Sequence, residues 1–428
     1  MKMSLSQSVV SQEGRQSASE PVGFLLSKFG LLTVLAALLL AAWAGQIVLV
    51  ILLGLILSAA GLARLWSRLS LEGVRCERLL SERRVFPGEN IQLKLRVVNR
   101  KLLPMPWLQV DDEIPGSFTA DGSGVPGSRI GYAIVSKTGS LLWYSAISWQ
   151  SRLSCNRRGY YPLGPLSVTS GDIFGFYPRY ITEPVKDYII VYPKLYPVSH
   201  ISIPSLYPLG ETRSERRIFE DPSRTIGVRE YAPGDSLRRI HWKASARQQS
   251  LQVRVFEATT TLKVALCLAV DSFYKDGQCD QDKLELGIST VASVASYLVE
   301  HGSQSGLLVN SLLADSRQPA RIPPGGGDGQ LVTILEALAK VTPSFKVPFS
   351  DFLQSERKGF PHGTTLVFVI SQLAPALAAL VTELAESGYK MMALQIGDEQ
   401  RSGIGAEIPW CNIRQPGDLQ EIGVKEQW

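Results

Sequence analysis

Two apolar runs separated by three residues constrain this chain more than any other feature. From Val22 to Trp43 only Ser27, Lys28 and Thr33 interrupt the apolar character, and after Ala44-Gly45-Gln46 a second run continues from Ile47 to about Leu65. A helix needs about 20 apolar residues to cross a bilayer, and each run approaches that length. The connection admits only a tight hairpin. Gly54, Ser58 and Gly61 on the second run, with Ala37, Ala41 and Gly45 on the first, suit two helices that approach closely. Lys28 can snorkel to the headgroups. A membrane hairpin is therefore expected over residues 22–65, with the lipid bilayer as one partner.

Charge sets its expected orientation. Lys2, Arg15 and Lys28 precede or open the first run, while Arg64, Arg68, Arg75, Arg78, Arg83 and Arg84 follow the second. The loop between them has no charge. The positive-inside rule then places both ends, and the bulk of the chain, in the cytoplasm. The expected localisation is the cell membrane, with two spans. Ala42-Trp43-Ala44 could be a signal-peptide cleavage site, but the region before it is too long and a second apolar run begins almost at once. Residues 1–21, rich in Ser and Gln with mixed charge, read as a disordered tail.

The 428 residues suit two to three domains, and a net charge of +5 does not by itself imply nucleic acid. Cys76, Cys155, Cys267, Cys279 and Cys411 are odd in number and form no CxxC pair, which fits a reducing compartment. The four histidines have no zinc-type spacing.

Over 66–200 short alternating segments recur between turn clusters. Residues 92–98 alternate strictly, and 107–110, 130–134, 141–149, 160–168 and 188–192 are further strand candidates. The pattern predicts an antiparallel β-sandwich, of immunoglobulin-like type, with Trp107, Trp143 and Trp149 in its core. Asp111-Asp112 fall in an expected turn with no partner acid. Residues 201–258 read as a linker, Pro- and Ser-rich and then charged, leading into a helix and a strand.

Over 259–428 strands alternate with helices. Strands are expected at 262–270, 306–310, 365–370 and 391–396, and helices at 282–301, 330–340 and 374–387. That alternation predicts a parallel sheet covered on both sides. Ligands in such sheets collect at the carboxyl ends of strands, and Asp271 lies at one such end.

The linker carries the densest mixture of charge and aromatic residues, Gly227-Val-Arg-Glu-Tyr-Ala-Pro-Gly-Asp-Ser-Leu-Arg-Arg-Ile-His-Trp-Lys-Ala-Ser-Ala-Arg. Pro233-Gly234 predicts a turn and Asp235 a helix N-cap. A helix over 236–247 would gather Leu237, Ile240 and Ala244 on a narrow apolar face, with Arg239, Lys243 and Arg247 as a basic stripe. Trp242 points away from the apolar face, so the helix is expected to be a joint buried on two sides, locked between the β and α/β modules. Arg229, Tyr231, Asp235, Arg238, Arg239, Trp242, Lys243 and Arg247 are the candidate partner-binding residues. Pro416-Gly417-Asp418-Leu419 repeats the turn-and-cap pattern, so that pattern alone is no sign of function.

This segment resembles the signature of the domain of unknown function 58 family of bacterial membrane proteins. Cys155-Asn-Arg-Arg-Gly-Tyr-Tyr-Pro-Leu-Gly-Pro and Gly171-Asp-Ile-Phe-Gly-Phe look like the family's upstream segments. The resemblance implies a membrane hairpin, a β domain and a C-terminal domain similar to von Willebrand factor A (Rossmann-type). It also implies company with MoxR-like AAA+ ATPases.

Such a domain binds Mg²⁺ through Asp-x-Ser-x-Ser, because a hard cation wants several oxygens. Here the sequence is Asp271-Ser-Phe-Tyr-Lys275, with Phe273 and Lys275 at both serine positions. No cofactor is expected, and Mg²⁺ at Asp271 requires a degenerate site. Gly325-Gly-Gly-Asp-Gly329 lacks the Gly-Lys-Ser/Thr ending of a phosphate loop and reads as a mobile loop. No catalytic motif occurs at any spacing. The expected function is thus a non-catalytic, membrane-anchored interaction protein, with no nucleic acid expected. Binding of an anionic ligand, a lipid headgroup or nucleic acid, by the basic stripe together with Arg64–Arg84, or a membrane-associated hydrolase using Asp235, His241 and the Arg cluster, are the alternatives.

Overall fold

The structure, a computed structural model, describes residues 8–9, 16–18, 28–120, 125–127, 129–183, 187–201, 220–232, 235, 240–258, 262–361, 363–397 and 408–422. It is a mixed α/β protein with several sheets, and it divides into two compact units, Met1–Tyr192 and Pro193–Trp428.

The first unit begins with helices α1 (Lys28–Trp43) and α2 (Ile47–Ser70), which pack against each other across Ala44-Gly45-Gln46. Among the described residues α2 alone is long and apolar enough to cross a membrane. Of the expected small-residue seam, Ala41 is buried and Gly54 faces Leu38 at 4.0 Å, but Gly61 faces open space. Where composition predicts a disordered tail, Ser8–Val9 and Gln16–Ala18 are instead extended, each adding to the edge of a sheet. Sheet edges present unpaired backbone groups that such short segments satisfy. The other residues of 1–21 lie outside the described residues.

The β part of this unit is built from β1 (Val74–Leu80), β2 (Asn90–Asn99), β3 (Met105–Pro115), β4 (Tyr132–Leu141) and β5 (Ala146–Cys155). It continues with β6 (Gly159–Leu163), β7 (Leu166–Ser170), β8 (Arg179–Glu183) and β9 (Asp187–Val191). One antiparallel sheet runs β1-β2-β5 and a second β8-β7-β3-β4; β6 and β9 pair in a third. Alternation decides which residues point inward: Ile91, Leu93, Leu95 and Val97 are buried, while Gln92 and Lys94 face out. They join Leu108 and Val110 of β3 and Leu153 of β5 in one core.

The strands expected at 107–110 and 130–134 are longer, Met105–Pro115 and Tyr132–Leu141, and two other expected strands are divided. The run 141–149 is broken by a turn in which Tyr144 adopts φ 49°, and 160–168 is split at Gly164 (φ 94°) and Pro165. Both runs are largely apolar, with Ser145 and Ser148 in the first and Ser167 in the second, so hydropathy alone does not mark the turns. Trp149 packs against the core and the Trp107 indole is half-buried, but Trp143 is exposed, against expectation, because it sits on the turn itself. Asp111 and Asp112 lie within β3 and not in a turn.

In the second unit β10 (Glu220–Glu230), α3 (Trp242–Gln248) and β11 (Gln252–Ala258) precede β12 (Lys263–Leu268), α4 (Gln281–Glu300) and β13 (Gln304–Val309). Then follow β14 (Ala320–Gly325), α5 (Asp328–Ala339), α6 (Phe349–Glu356), β15 (Thr364–Ile370), α7 (Pro375–Glu386), β16 (Met391–Ile396) and β17 (Trp410–Ile413). The sheet order is β14-β13-β12-β15-β16-β17, parallel except for β14. In order of appearance that is 3-2-1-4-5-6, with a switch point between β12 and β15. Ala265, Cys267 and Ala269 pack with Phe349, Phe352 and Leu380 from α6 and α7. Val264, Leu266 and Leu268 face the other way and are equally buried, on the side of α4. β12 is therefore the near-continuous apolar strand that burial on both faces demands.

The glycine stretch expected to be a loop is divided between elements: Gly325 closes β14, Gly327 at φ 88° caps α5 and Asp328 opens it. The second turn-and-cap sequence forms a short 3-10 helix, Pro416–Leu419, with Gln415 and Asp418 in a reciprocal capping box. Backbone N–H groups of Arg414 and Gln415 donate to Asp418 at 2.8 and 3.1 Å. These bonds hold its carboxyl below the ordinary 3.8. A lowered pKa in the folded state means that this support is complete above pH 3.8 and fades as pH falls through the lowered value. Asp418→Asn should flatten that part of an acid-unfolding profile; an unchanged profile would show that the cap contributes nothing.

Candidate functional site

The segment rich in charge and aromatics closes on itself as a hairpin. β10 and β11 pair antiparallel, with Val228 opposite Arg254 and Glu230 opposite Gln252. The Tyr231 N–H donates to Leu251 O at 2.8 Å, and the His241 N–H to Gln252 O at 2.8 Å. Residues 220–230, read from sequence as linker, are thus a strand; their charges mask the pattern. Residues 202–219 lie outside the described residues.

The expected helix over 236–247 is corrected. Ile240 forms a β-bridge with Val253, and residues 236–239 lie outside the described residues. Helix α3 starts only at Trp242, and His241 is its cap, with Nδ1 accepting from Ala244 N–H at 3.1 Å. Asp235 is not that cap. Its carboxylate accepts from both Nη groups of Arg229 at 2.8 and 2.7 Å and from Ala232 N–H at 2.9 Å. Arg238 and Arg239 fall outside the described residues, so the basic stripe is represented by Lys243 and Arg247, both exposed.

Burial on two sides is also corrected. Ile240 and Ser245 are buried, and the Ser245 hydroxyl accepts from Gln252 N–H at 2.8 Å. Trp242, on another side of the helix, is 69 % exposed. The helix docks through one side and offers an aromatic ring with two cations outward. Of the eight expected residues the structure joins Arg229 to Asp235, leaves Tyr231 half-buried on the hairpin, and presents Trp242, Lys243 and Arg247 on α3.

The carboxyl end of β12 is built differently. Asp271 Oδ1 accepts from Asn310 Nδ2 at 2.9 Å and Oδ2 from the Phe349 N–H at 3.0 Å. Asn310 Oδ1 in turn accepts from Val270 N–H at 2.8 Å. Ser272 Oγ donates to Ala269 O and accepts from the Ser371 N–H at 3.0 Å. Asp271 therefore ties β12 to the end of β13 and to the start of α6. Phe273 is buried, and Lys275 brings a positive charge to the position where a cation site needs oxygen. Among the described residues no three His, Cys, Asp or Glu side chains converge. The donor set does not fit a divalent cation. Sequence reasoning missed Asn310, although an Asn ending an apolar strand beside Asp271's strand was the available signal. Burial pushes the Cys76 and Cys155 thiols up to about 12, so neither is a nucleophile near neutral pH.

A family model described as "Protein of unknown function DUF58" matches residues 227–406. The uncharacterized protein YeaD of Bacillus subtilis (strain 168) is 22 % identical over 250 residues, covering 58 % of this chain and 58 % of that one. The chain thus spans little more than half the length of this relative. Among solved structures, proximal thread matrix protein 1 from the mussel byssus is 11 % identical with a TM-score of 0.27, over 37 % of this chain and 44 % of that one. The Bacillus subtilis sporulation control protein Spo0M is 12 % identical with a TM-score of 0.17, over 28 % and 49 %. Scores this low carry no structural argument.

Proposed function

We propose that this chain is a non-catalytic interaction protein, anchored by α1 and α2 as a two-span hairpin, with its soluble units in the cytoplasm. The first unit is read as an immunoglobulin-like sandwich and the second as a domain similar to von Willebrand factor A without its metal. The 3-2-1-4-5-6 order with an antiparallel third strand supports the latter. The pairing of Ser8–Val9 with β1 and of Gln16–Ala18 with β8 supports an even number of crossings, because it sets the segment before α1 beside the sheets that follow α2. Protease added to intact spheroplasts should then leave both units uncut.

The observation that carries the docking role is Trp242, 69 % exposed on a short helix between Lys243 and the hairpin. An exposed Trp flanked by cations is the composition of an interface anchor. The proposed partner is a MoxR-like AAA+ ATPase. With the full chain in detergent, capture of that ATPase should fall more than about tenfold in Trp242→Ala, since a central Trp costs about 2 kcal/mol or more when truncated. Lys243→Glu and Arg247→Glu should slow association and weaken its salt dependence. Undiminished capture by Trp242→Ala removes α3 as the docking surface. The hydrolase reading has less support, because His241 Nδ1 is already committed to Ala244.

A further inference from the structure

The first unit carries an apolar surface that its own core does not use. Leu102, Leu142, Trp143, Tyr144, Ile173 and Phe174 are each 53–74 % exposed. Elsewhere among the described residues of 71–192, the large apolar side chains that are exposed are Phe86, Ile130 and Tyr180. The six fall on three loops, 100–103, 142–145 and 171–177, and all three are fastened around the same end of α2.

The fastening is specific. Lys101 Nζ donates to Leu69 O at 2.8 Å, to Ser70 O and to Glu72 O at 2.9 Å, closing the C-terminal carbonyls of α2. The Tyr144 N–H donates to Lys101 O at 3.2 Å, and Asn99 Nδ2 to Leu142 O at 2.9 Å, which holds the 142–145 turn beside the first loop. Ser67 Oγ donates to Tyr177 O at 2.5 Å, tying the third loop to α2. Within that loop Asp172 is buried and its carboxylate accepts from the Phe174 and Tyr177 N–H groups at 3.0 and 2.7 Å. The bend so made turns Ile173 and Phe174 outward. The apolar tips are thus held by a built scaffold.

Depth follows from length. From Ile47 the first charge on α2 is Arg64, about 26 Å along the helix at 1.5 Å per residue. A hydrocarbon core is about 30 Å thick, so a spanning α2 puts Arg64 and Arg68 at the headgroups. Ile173 and Phe174 line a groove of about 270 Å³ with Ala59, Leu62, Ala63 and Trp66 of α2. They lie beside residues at and below the level of Arg64. The Trp66 Nε1–H is buried beside the groove, with no hydrogen-bond partner among the described residues.

We propose that this end of the β unit is embedded in the membrane interface, with the three loops among the headgroups and the groove taking one acyl chain of an anionic phospholipid. The lipid's phosphate meets Arg64, Arg68 and Arg100. Trp143 and Tyr144 are then interfacial aromatics, apolar in body with a polar tip. The proposal rests on the reading of α2 as a membrane span. It makes the β unit a rigid collar on the bilayer, unable to swing on its anchor.

Photocrosslinking of the full chain in nanodiscs containing phosphatidylglycerol tests it. p-Benzoylphenylalanine is placed in turn at Phe174, at Trp143, at Leu52 in mid-α2 and at Ile130. Ile130 precedes the opposite end of β4, about 30 Å from Leu141 along a ten-residue strand. Phospholipid adducts at 174, 143 and 52, with none at 130, are expected. Adducts at 52 alone, or protein adducts in place of lipid at 174 and 143, overturn the collar and leave the anchor standing. Absence of lipid adducts at 52 overturns the anchor itself, and the collar with it.

Discussion

Arg78→Ala should destabilise the β unit by about 3–5 kcal/mol, the cost of leaving a buried charge without its partner. Arg78 on β1 donates through Nε to Asp112 Oδ2 at 3.2 Å and through Nη2 to Oδ1, both on β3. Its Nη1 reaches Asp187 Oδ2 on β9 at 3.4 Å, and Arg83 Nη2 meets Asp187 Oδ1 at 2.9 Å. One guanidinium therefore links strands from three sheets. Arg78, Asp112 and Asp187 are all buried. Burial raises the Asp112 pKa above 3.8, and the Arg78 guanidinium opposes that rise.

Without Arg78 the rise is larger. A carboxyl whose folded pKa lies above its unfolded one binds more protons when folded, so stability falls as pH climbs through that window. The deficit of Arg78→Ala should accordingly be smaller near pH 4 than at pH 7. Urea unfolding of the full chain in detergent, followed by tryptophan fluorescence, measures both. Arg96→Ala, half exposed beside Glu77 at 3.9 Å, is the control and should cost little. The double replacement Arg78→Met with Asp112→Leu should recover much of the loss, as apolar substitutes for buried ion pairs do. An Arg78→Ala loss no larger than that of Arg96→Ala would mean that water reaches the cluster.

The cluster also marks what a sequence displays and what it hides. Strict alternation at 92–98 and the apolar run ending at Asp271 carry their own burial pattern, so β2, β12 and the parallel strands were legible from local spacing. Arg78 and Asp112 are 34 residues apart, and nothing local distinguishes that arginine from the five others that follow the second apolar run. The turn at 142–145 was unreadable for the opposite reason: Leu142, Trp143 and Tyr144 have the composition of core, yet all three are exposed. At the hairpin, Pro233-Gly234-Asp235 carries the sequence sign of a helix start, yet Asp235 is claimed by Arg229 six residues earlier and α3 begins only after the bridge from Ile240 to Val253. The same sequence at Pro416 forms its 3-10 helix, with Asp418 accepting from the Arg414 and Gln415 N–H groups. Local propensity decided the outcome where tertiary pairing left it free.

Phe349→Ala should cost about 3–5 kcal/mol in the second unit, the range for an aromatic ring removed from a close-packed core. Phe349 is fully buried, with the Phe352 and Phe368 rings at 6.1 and 6.5 Å. Its backbone N–H is one of the two donors to Asp271. Asp271→Ala leaves that N–H and Asn310 Nδ2 short of an acceptor and should cost about 1–3 kcal/mol. Because carboxylate and ring fix the same turn of α6, the two losses should not add. A coupling of about 0.5–3 kcal/mol is expected from a double-mutant cycle on residues that share a contact. The cycle separates two roles for Asp271. If it is a structural staple, thermal unfolding of the full chain is indifferent to Mg²⁺ or chelator, in the parent and in Phe349→Ala alike. If it were a metal ligand, Mg²⁺ would raise the unfolding temperature in proportion to the logarithm of its excess over Kd, and Asp271→Ala would abolish the response. Strict additivity together with a Mg²⁺ response would return the carboxyl end of β12 to the class of ion sites; coupling without one leaves the strand's aspartate as the fastening of α6 to the sheet.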